Sequence, residues 1–305
     1  MNGVRASRGE AGGDQRADMS KTVVVTGAST GIGFATSVAL AKAGYDVFAG
    51  VRSAAAGEPL TKASANTPGT ITPILLEVTD GASVAAAAAQ VKAALGGEPL
   101  FGLVNNAGIG LGGPLLFQPI DEIKQVFEVN VIGLLRVTQA FAPLLAATAT
   151  SPARPGRVIN ISSVGGKMAA PFLGAYAGTK HAVEGLSESL RRELMVFGID
   201  VIIIGPGAVV TAIWDKAEAG DLSYLAGTAY EGPAKRFNDY FIKSGRQGLK
   251  PERLGQVVLD ALTTEKPKTR YAVVKNALTN WILPQLLPKR AVDRTIAKNL
   301  GLQPK

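Results

Sequence analysis

Tyr176 and Lys180 stand four residues apart in Ala175-Tyr176-Ala177-Gly178-Thr179-Lys180. They open a stretch whose polar and apolar positions recur at helical spacing as far as Val196. Residues four apart share one helix face, so the phenol and the ammonium can point into one cleft. An ammonium beside a phenol favours the phenolate and lowers its pKa from about 10 towards working pH. A phenol tuned in this way is a general acid or base at neutral pH. The same pair on an ordinary helix is a packed ring and a solvated charge. The chemistry therefore requires a cofactor site and a substrate-polarising group elsewhere in the chain.

Residues 21–26 are β-branched and read as a buried strand. They run into Thr26-Gly27-Ala28-Ser29-Thr30-Gly31-Ile32-Gly33 and then a helical pattern that stops at Gly44. A strand, a glycine-rich turn and a helix start together aim backbone N–H groups at a phosphate. Residues 46–51 form a second strand, and Arg52 follows it. An acidic residue there would hold the ribose 2′-hydroxyl of NAD, whereas an arginine suits a 2′-phosphate. NADP is thus favoured over NAD; the alternative is a solvated loop arginine.

The remaining chain supplies the elements that must position these groups. Residues 53–70 read as a loop, 72–78 as strand three, 83–95 as a helix and 100–104 as strand four. Strand four ends in Asn105-Asn106-Ala107-Gly108, small and amide residues that allow close backbone approach to a ligand. Residues 121–145 read as one long helix. Asn130 lies in its middle and, being a mediocre helix former, has either a polar task or a surface place. Strand five (157–161) leads to Ser162-Ser163-Val164-Gly165-Gly166, strand six (199–204) to Gly205-Pro206-Gly207, and 271–274 is strand seven. This alternation predicts an α/β, single-domain, doubly wound Rossmann fold: a seven-stranded parallel sheet with helices on both faces. Ligands bind beyond the carboxyl ends of such strands. The glycine turn, Arg52, Asn105, Ser163 and Pro206 all fall there. Residues 210–250 read as an irregular lid carrying Trp214, Tyr224, Tyr230, Phe237, Tyr240 and Phe241.

With 305 residues, 47% hydrophobic and only 18% charged, the chain is globular and long enough for a large core. It has no cysteine and one histidine, which removes thiolate catalysis, disulfides and a multi-histidine zinc site, so no metal is expected. The cytoplasm is the expected compartment. The net charge of +8 sits in residues 266–305, so a nucleic-acid partner is not expected. Residues 1–18 read as a disordered extension ahead of a start at Met19, followed by a domain over 19–276 and a basic tail over 277–305. No membrane span is visible. Apolar residues 281–287 beside Lys289, Arg290 and Arg294 either rest on an anionic bilayer as a peripheral membrane contact or dock on protein. Pro284 and Pro288 interrupt a long amphipathic helix and favour docking.

Taken together, these motifs resemble the short-chain dehydrogenase/reductases over roughly residues 20–275. The Thr-Gly-x-x-x-Gly-x-Gly spacing, Asn105 to Gly108, Asn130, Ser163, Tyr176, Lys180 and Pro206 to Thr211 fall in that family's order. The resemblance implies that Tyr176 exchanges the substrate's hydroxyl proton and that Ser163 hydrogen-bonds the oxygen where charge develops. It implies that Lys180 holds the nicotinamide ribose and that Asn130 seats a water linking Lys180 to solvent. Cofactor contacts are implied for Gly27, Ser29, Thr30, Gly31, Ile32 and Gly33, with Arg52 on the 2′-phosphate and Glu77 and Val78 near the adenine. Further contacts are implied for Asn105, Ala107, Tyr176, Lys180, Pro206, Val209 and Thr211. Two departures stand out: Glu77 replaces the usual aspartate, and Thr30 replaces the basic residue of many NADP enzymes. The lid looks most like the hydroxysteroid and retinol dehydrogenase branch, which implies an apolar, lipid- or steroid-like alcohol or ketone. The alternatives are a small carbonyl substrate beneath packed aromatics, or a non-catalytic dinucleotide sensor. The resemblance also implies a homodimer or homotetramer formed through the helices that carry Asp121 and Tyr176.

Overall fold

Val23 and Val25 point to one side of the first strand and Val24 to the other, and all three are fully buried. A strand covered on both faces belongs inside a parallel sheet. The computed structural model describes residues 21–146, 155–218 and 220–304. The expected extension at 1–18 and the start at Met19 lie outside them. The strands are β1 (Thr22–Val25), β2 (Asp46–Val51), β3 (Ile71–Leu75), β4 (Gly102–Asn105), β5 (Arg157–Ile161), β6 (Asp200–Pro206) and β7 (Arg270–Val273). They form one sheet in the order β3-β2-β1-β4-β5-β6-β7, parallel at every pairing. The expected doubly wound α/β sheet is present. Its strand order reverses between β1 and β4, where such sheets open a ligand crevice.

In chain order the first helices are α1 (Gly31–Lys42), α2 (Glu58–Ala63), α3 (Gly81–Leu95), α4 (Ile120–Phe127), α5 (Leu134–Leu145) and α6 (Gly174–Glu193). Then follow α7 (Ile213–Glu218), α8 (Glu231–Arg246), α9 (Pro251–Thr263), α10 (Leu283–Leu286) and α11 (Lys289–Leu300). Side chains of α1, α2 and α9 fill the core on one sheet face. Those of α3 and α5 fill the other.

Four expectations need correction. The 53–70 stretch carries a short helix, α2, started by Pro59. The helix expected over 121–145 is interrupted by a π-turn at Glu128–Gly133. The lid is largely helical: α8 is amphipathic and buries Ala234, Phe237 and Ile242. Strand six continues through Gly205 to Pro206, where it pairs with β7.

Rings bind the lid to the body in a continuous series. Trp214 packs on Phe241 at 4.9 Å, Phe241 on Phe237 at 5.3 Å and Phe237 on Phe172 at 5.5 Å. Tyr230 then joins Phe172 at 6.1 Å to Phe117 at 5.8 Å. The basic tail is helical too. The carbonyl of Leu300, at the end of α11, accepts from Arg236 Nε of α8 at 2.9 Å. Leu278, Ile282, Leu283, Leu286 and Leu287 remain exposed. Among the described residues no helix is long and apolar enough to cross a membrane.

Candidate active site

Lys180 is 6% exposed, and its Nζ donates to the carbonyl of Ile161, the last residue of β5, at 2.9 Å. That bond pins α6 to the end of the strand, and Tyr176 sits one helical turn earlier. The ammonium lies 5.8 Å from the centroid of the Tyr176 ring. Ser163, just past β5, caps the short 3-10 turn Val164–Gly166, its Oγ accepting from the Gly165 N–H at 3.0 Å. That acceptor site being filled, the hydroxyl is free to donate. Ser163 Oγ and the Tyr176 ring both border Gly165. Two hydroxyls and one ammonium thus meet at the carboxyl end of β5.

Their protonation follows from burial. Desolvation raises the Tyr176 pKa, and the Ser163 side chain lowers it only in part. The expected lowering by Lys180 does not prevail in the chain by itself, because burial has the largest effect on the phenol. Tyr176 therefore keeps its proton at neutral pH, the form that donates. The same burial pulls Lys180 down to about 8, opposed by the charge of Glu184.

Asn130 lies in the π-turn, a widened turn that recurs at functional sites. Its Oδ1 accepts from the Ile109 N–H at 2.8 Å, and its Nδ2 donates to the Ile109 carbonyl at 2.9 Å and to Thr179 Oγ1 at 3.1 Å. Thr179 in turn donates to the Tyr176 carbonyl at 2.7 Å. The side chain thus braces the loop after β4 against the start of α6. Motif reading missed Thr179; its signal is a hydroxyl between the tyrosine and the lysine on a helix that buries it. His181, on the exposed side of α6, pairs its Nδ1 with the Ala177 carbonyl at 2.9 Å.

The glycine turn has the shape that a dinucleotide phosphate needs. Gly27 and Gly31 take φ of 61° and 59°, the left-handed region that glycine tolerates. A side chain at Gly33 would overlap the Gly27 carbonyl and the Asn106 amide. No side chain caps the start of α1 and its first turn holds no acid, so its N–H groups and positive dipole end are available to an anion. Asn106 Nδ2 donates to the Thr26 and Gly27 carbonyls at 2.9 and 3.0 Å, and the Ala107 N–H donates to Thr26 Oγ1 at 3.0 Å. The Thr211 methyl faces Gly31. Gly27 through Gly33, Ala107 and Thr211 are therefore one cluster.

Arg52 stands exposed at the end of β2 with no hydrogen bond or ion pair among the described residues. The Ala28 N–H, bonded to the Gly50 carbonyl at 2.9 Å, ties the glycine turn to that strand end. Several other sequence candidates turn inward. The Asn105 amide, 3% exposed, donates to Thr138 and Asn160, so only its backbone can face a ligand. A Glu77 carboxylate oxygen accepts from the N–H and hydroxyl of Thr79 at 3.1 and 3.0 Å. Val78 is buried, and its carbonyl takes Arg136. Pro206 is a strand residue. The Val209 carbonyl accepts from the Trp214 indole at 2.6 Å, which leaves its N–H for any ligand.

A family model described as short chain dehydrogenase matches residues 21–221. An NADPH-dependent 3-dehydrocapnine reductase of Ornithobacterium rhinotracheale is 35% identical over 277 residues, covering 91% of this chain and 96% of its own. Retinol dehydrogenase 5 of Mus musculus is 33% identical, covering 90% of this chain and 87% of its own. The crystal structure of a short-chain dehydrogenase from Streptomyces avermitilis superimposes with a TM-score of 0.71 at 32% identity, over 93% of this chain and 98% of that one.

The shifted lysine has a consequence for stability. Folding lowers its pKa from 10.5 to about 8, so between those values the unfolded chain binds more protons and stability rises with pH. Tyr176, shifted upward, acts oppositely only above its ordinary pKa of about 10. Urea unfolding at pH 8 and pH 9.5 should show a larger gain for the parent than for Lys180→Met. Equal gains would contradict the burial of this charge.

Proposed function

The chain belongs to the short-chain dehydrogenase family, and from that premise we propose that it reduces a ketone or aldehyde with NADPH. The reverse direction oxidises the corresponding secondary or primary alcohol. The observation that carries this reading is the convergence of Ser163 and Tyr176, both beside Gly165, next to the buried Lys180. The reduced nicotinamide supplies the hydride when bound. Ser163 and Tyr176 both donate to the carbonyl oxygen, which gains negative charge in the transition state. Tyr176 gives up its proton to that oxygen, and its protonated resting form suits reduction. Lys180 offsets the charge left on the phenolate and holds the ribose.

NADPH over NADH rests on Arg52, a cation without a partner among the described residues at the end of β2, where a 2′-phosphate would lie. The NADPH-dependent relative supports the same choice. For the substrate we propose an apolar, lipid-like carbonyl compound, since the ring series passes through Phe172, four residues before Tyr176. Four of the lid's rings pack on one another or on the body, an arrangement that also suits a smaller carbonyl compound. A cytoplasmic homo-oligomer is part of this reading, with exposed Ile120, Phe127 and Ile132 near α6 as its contact face. For the C-terminal segment we favour docking on the body, given the Arg236 bond.

Tyr176→Phe should keep NADPH binding, followed by fluorescence, and lose turnover by about a thousandfold; turnover at the parent rate refutes the proton role. Arg52→Asp should shift the NADP/NAD ratio of kcat/KM towards NAD by ten- to a hundredfold or so, and an unchanged ratio removes Arg52 from the site. Sedimentation with phosphatidylserine vesicles should not distinguish the full chain from a Leu286→Ser/Leu287→Ser variant. Binding lost only in the variant would mean that this segment rests on a bilayer.

A further inference from the structure

Glu184 lies one helical turn beyond Lys180 on α6, and its side chain is only 4% exposed. Its carboxylate receives Arg270 Nε at 2.9 Å on one oxygen and Arg270 NH2 at 3.0 Å on the other. Lys167 Nζ stands 3.5 Å away. Arg270 opens β7, and its guanidinium lies 4.3 Å from the centre of the Trp281 ring. Its NH2 also reaches the carbonyl of Ser163 at 3.4 Å. The surrounding chain leaves room for the pair. A side chain at Gly205 would overlap the guanidinium, and one at Gly166 would come within 2.9 Å of the Glu184 Cγ.

A buried carboxylate needs a partner, and a two-toothed guanidinium supplies one. That requirement would be met without any contact to the active site. Here the two partners each extend to a different member of it, Arg270 to the main chain of Ser163 and Glu184 to the charge of Lys180. We propose that Glu184 and Arg270 are positioning residues: Arg270 fixes the Ser163 main chain and so aims its hydroxyl, while Glu184 holds the charge of Lys180. Trp281 covers the guanidinium and thereby joins the C-terminal segment to this function. The proposal rests on the roles given above to Ser163, Tyr176 and Lys180.

The charges around Lys180 make the expected shift specific. On its own helix it faces Tyr176 and Glu184. From the end of β5 comes the Ile161 carbonyl, and a side chain at Gly108, in the loop after β4, would lie 3.7 Å from Lys180 Nζ and 3.2 Å from the neutral Asn130 amide. Lys167 and Arg270 both pair with Glu184. Glu184 opposes the effect of burial and raises the lysine pKa. Replacing it with a neutral residue should move the titration of Lys180 downward.

The test uses Arg270→Lys, Glu184→Gln, Glu184→Asp and Trp281→Leu in the full chain. Turnover is expressed per NADPH-binding site, counted by fluorescence, so that misfolded protein drops out. Arg270→Lys keeps the charge but cannot span both partners, and should lower kcat by about ten- to a hundredfold. Trp281→Leu should give a smaller loss. Carbon-13 NMR of ε-labelled lysine, assigned with Lys180→Arg, reads the second contact without turnover. The Lys180 midpoint should fall in Glu184→Gln and recover in part in Glu184→Asp. If Glu184→Gln does not fold, Glu184→Asp, its carboxylate drawn back from Lys180, should lie below the parent. Parent kcat per site in Arg270→Lys overturns the role of Arg270, and an unmoved midpoint overturns that of Glu184. A parent that binds NADPH but reduces no carbonyl defeats the functional reading, while the lysine titration still decides this one.

Discussion

An ammonium taken out of water at the end of β5 governs the arrangement of this molecule. Lys180 is buried, and an unsatisfied buried charge is among the costliest things a fold can contain. Its compensation comes from the Ile161 carbonyl and the charge of Glu184, with Gly108 and Asn130 close by. Each belongs to a different segment, so β5, α6, the π-turn and the loop after β4 must all be in register. The parallel sheet fixes that register. Pairing Ile161 with Ile204 puts the ends of β5 and β6 side by side, and β6 in turn carries β7 with Arg270.

Burial acts in opposite directions on the two ends of the same helical turn. It raises the phenol above its ordinary value of about 10 and lowers the ammonium to about 8, which sets their proton affinities further apart than in water. Ser163 contributes geometry more than charge. The Gly165 N–H holds its Oγ in place and leaves its proton free to donate.

Much of this was legible in the chain because the relevant signals are local. The period-two burial of Val23, Val24 and Val25 and the positive-φ glycines of the first turn both act over a few residues. Tyr176 and Lys180 likewise share a face by helix geometry alone. The unread parts depend on distant partners. The π-turn at Asn130 is held by Ile109 and Thr179, twenty-one and forty-nine residues away. Asn105 sits where a ligand-facing amide is expected, yet Thr138 and Asn160 draw its side chain under the sheet. Helix α8 was hidden because its apolar positions are aromatic and mixed with glycine, which reads as an irregular lid. Arg270 resembles any strand-edge arginine until Glu184 is placed opposite it, eighty-six residues earlier.

The central claim is that two hydroxyls grip one carbonyl oxygen while a hydride reaches the adjoining carbon. The most direct measurement is transfer of deuterium from NADPH labelled at nicotinamide C4 to the carbonyl carbon of a ketone substrate, followed by mass spectrometry for the parent and Ser163→Ala. The account predicts one deuterium in the alcohol made by the parent, and transfer slowed by at least about a hundredfold in Ser163→Ala. Transfer at the parent rate without the Ser163 hydroxyl, or alcohol carrying no label, would contradict it.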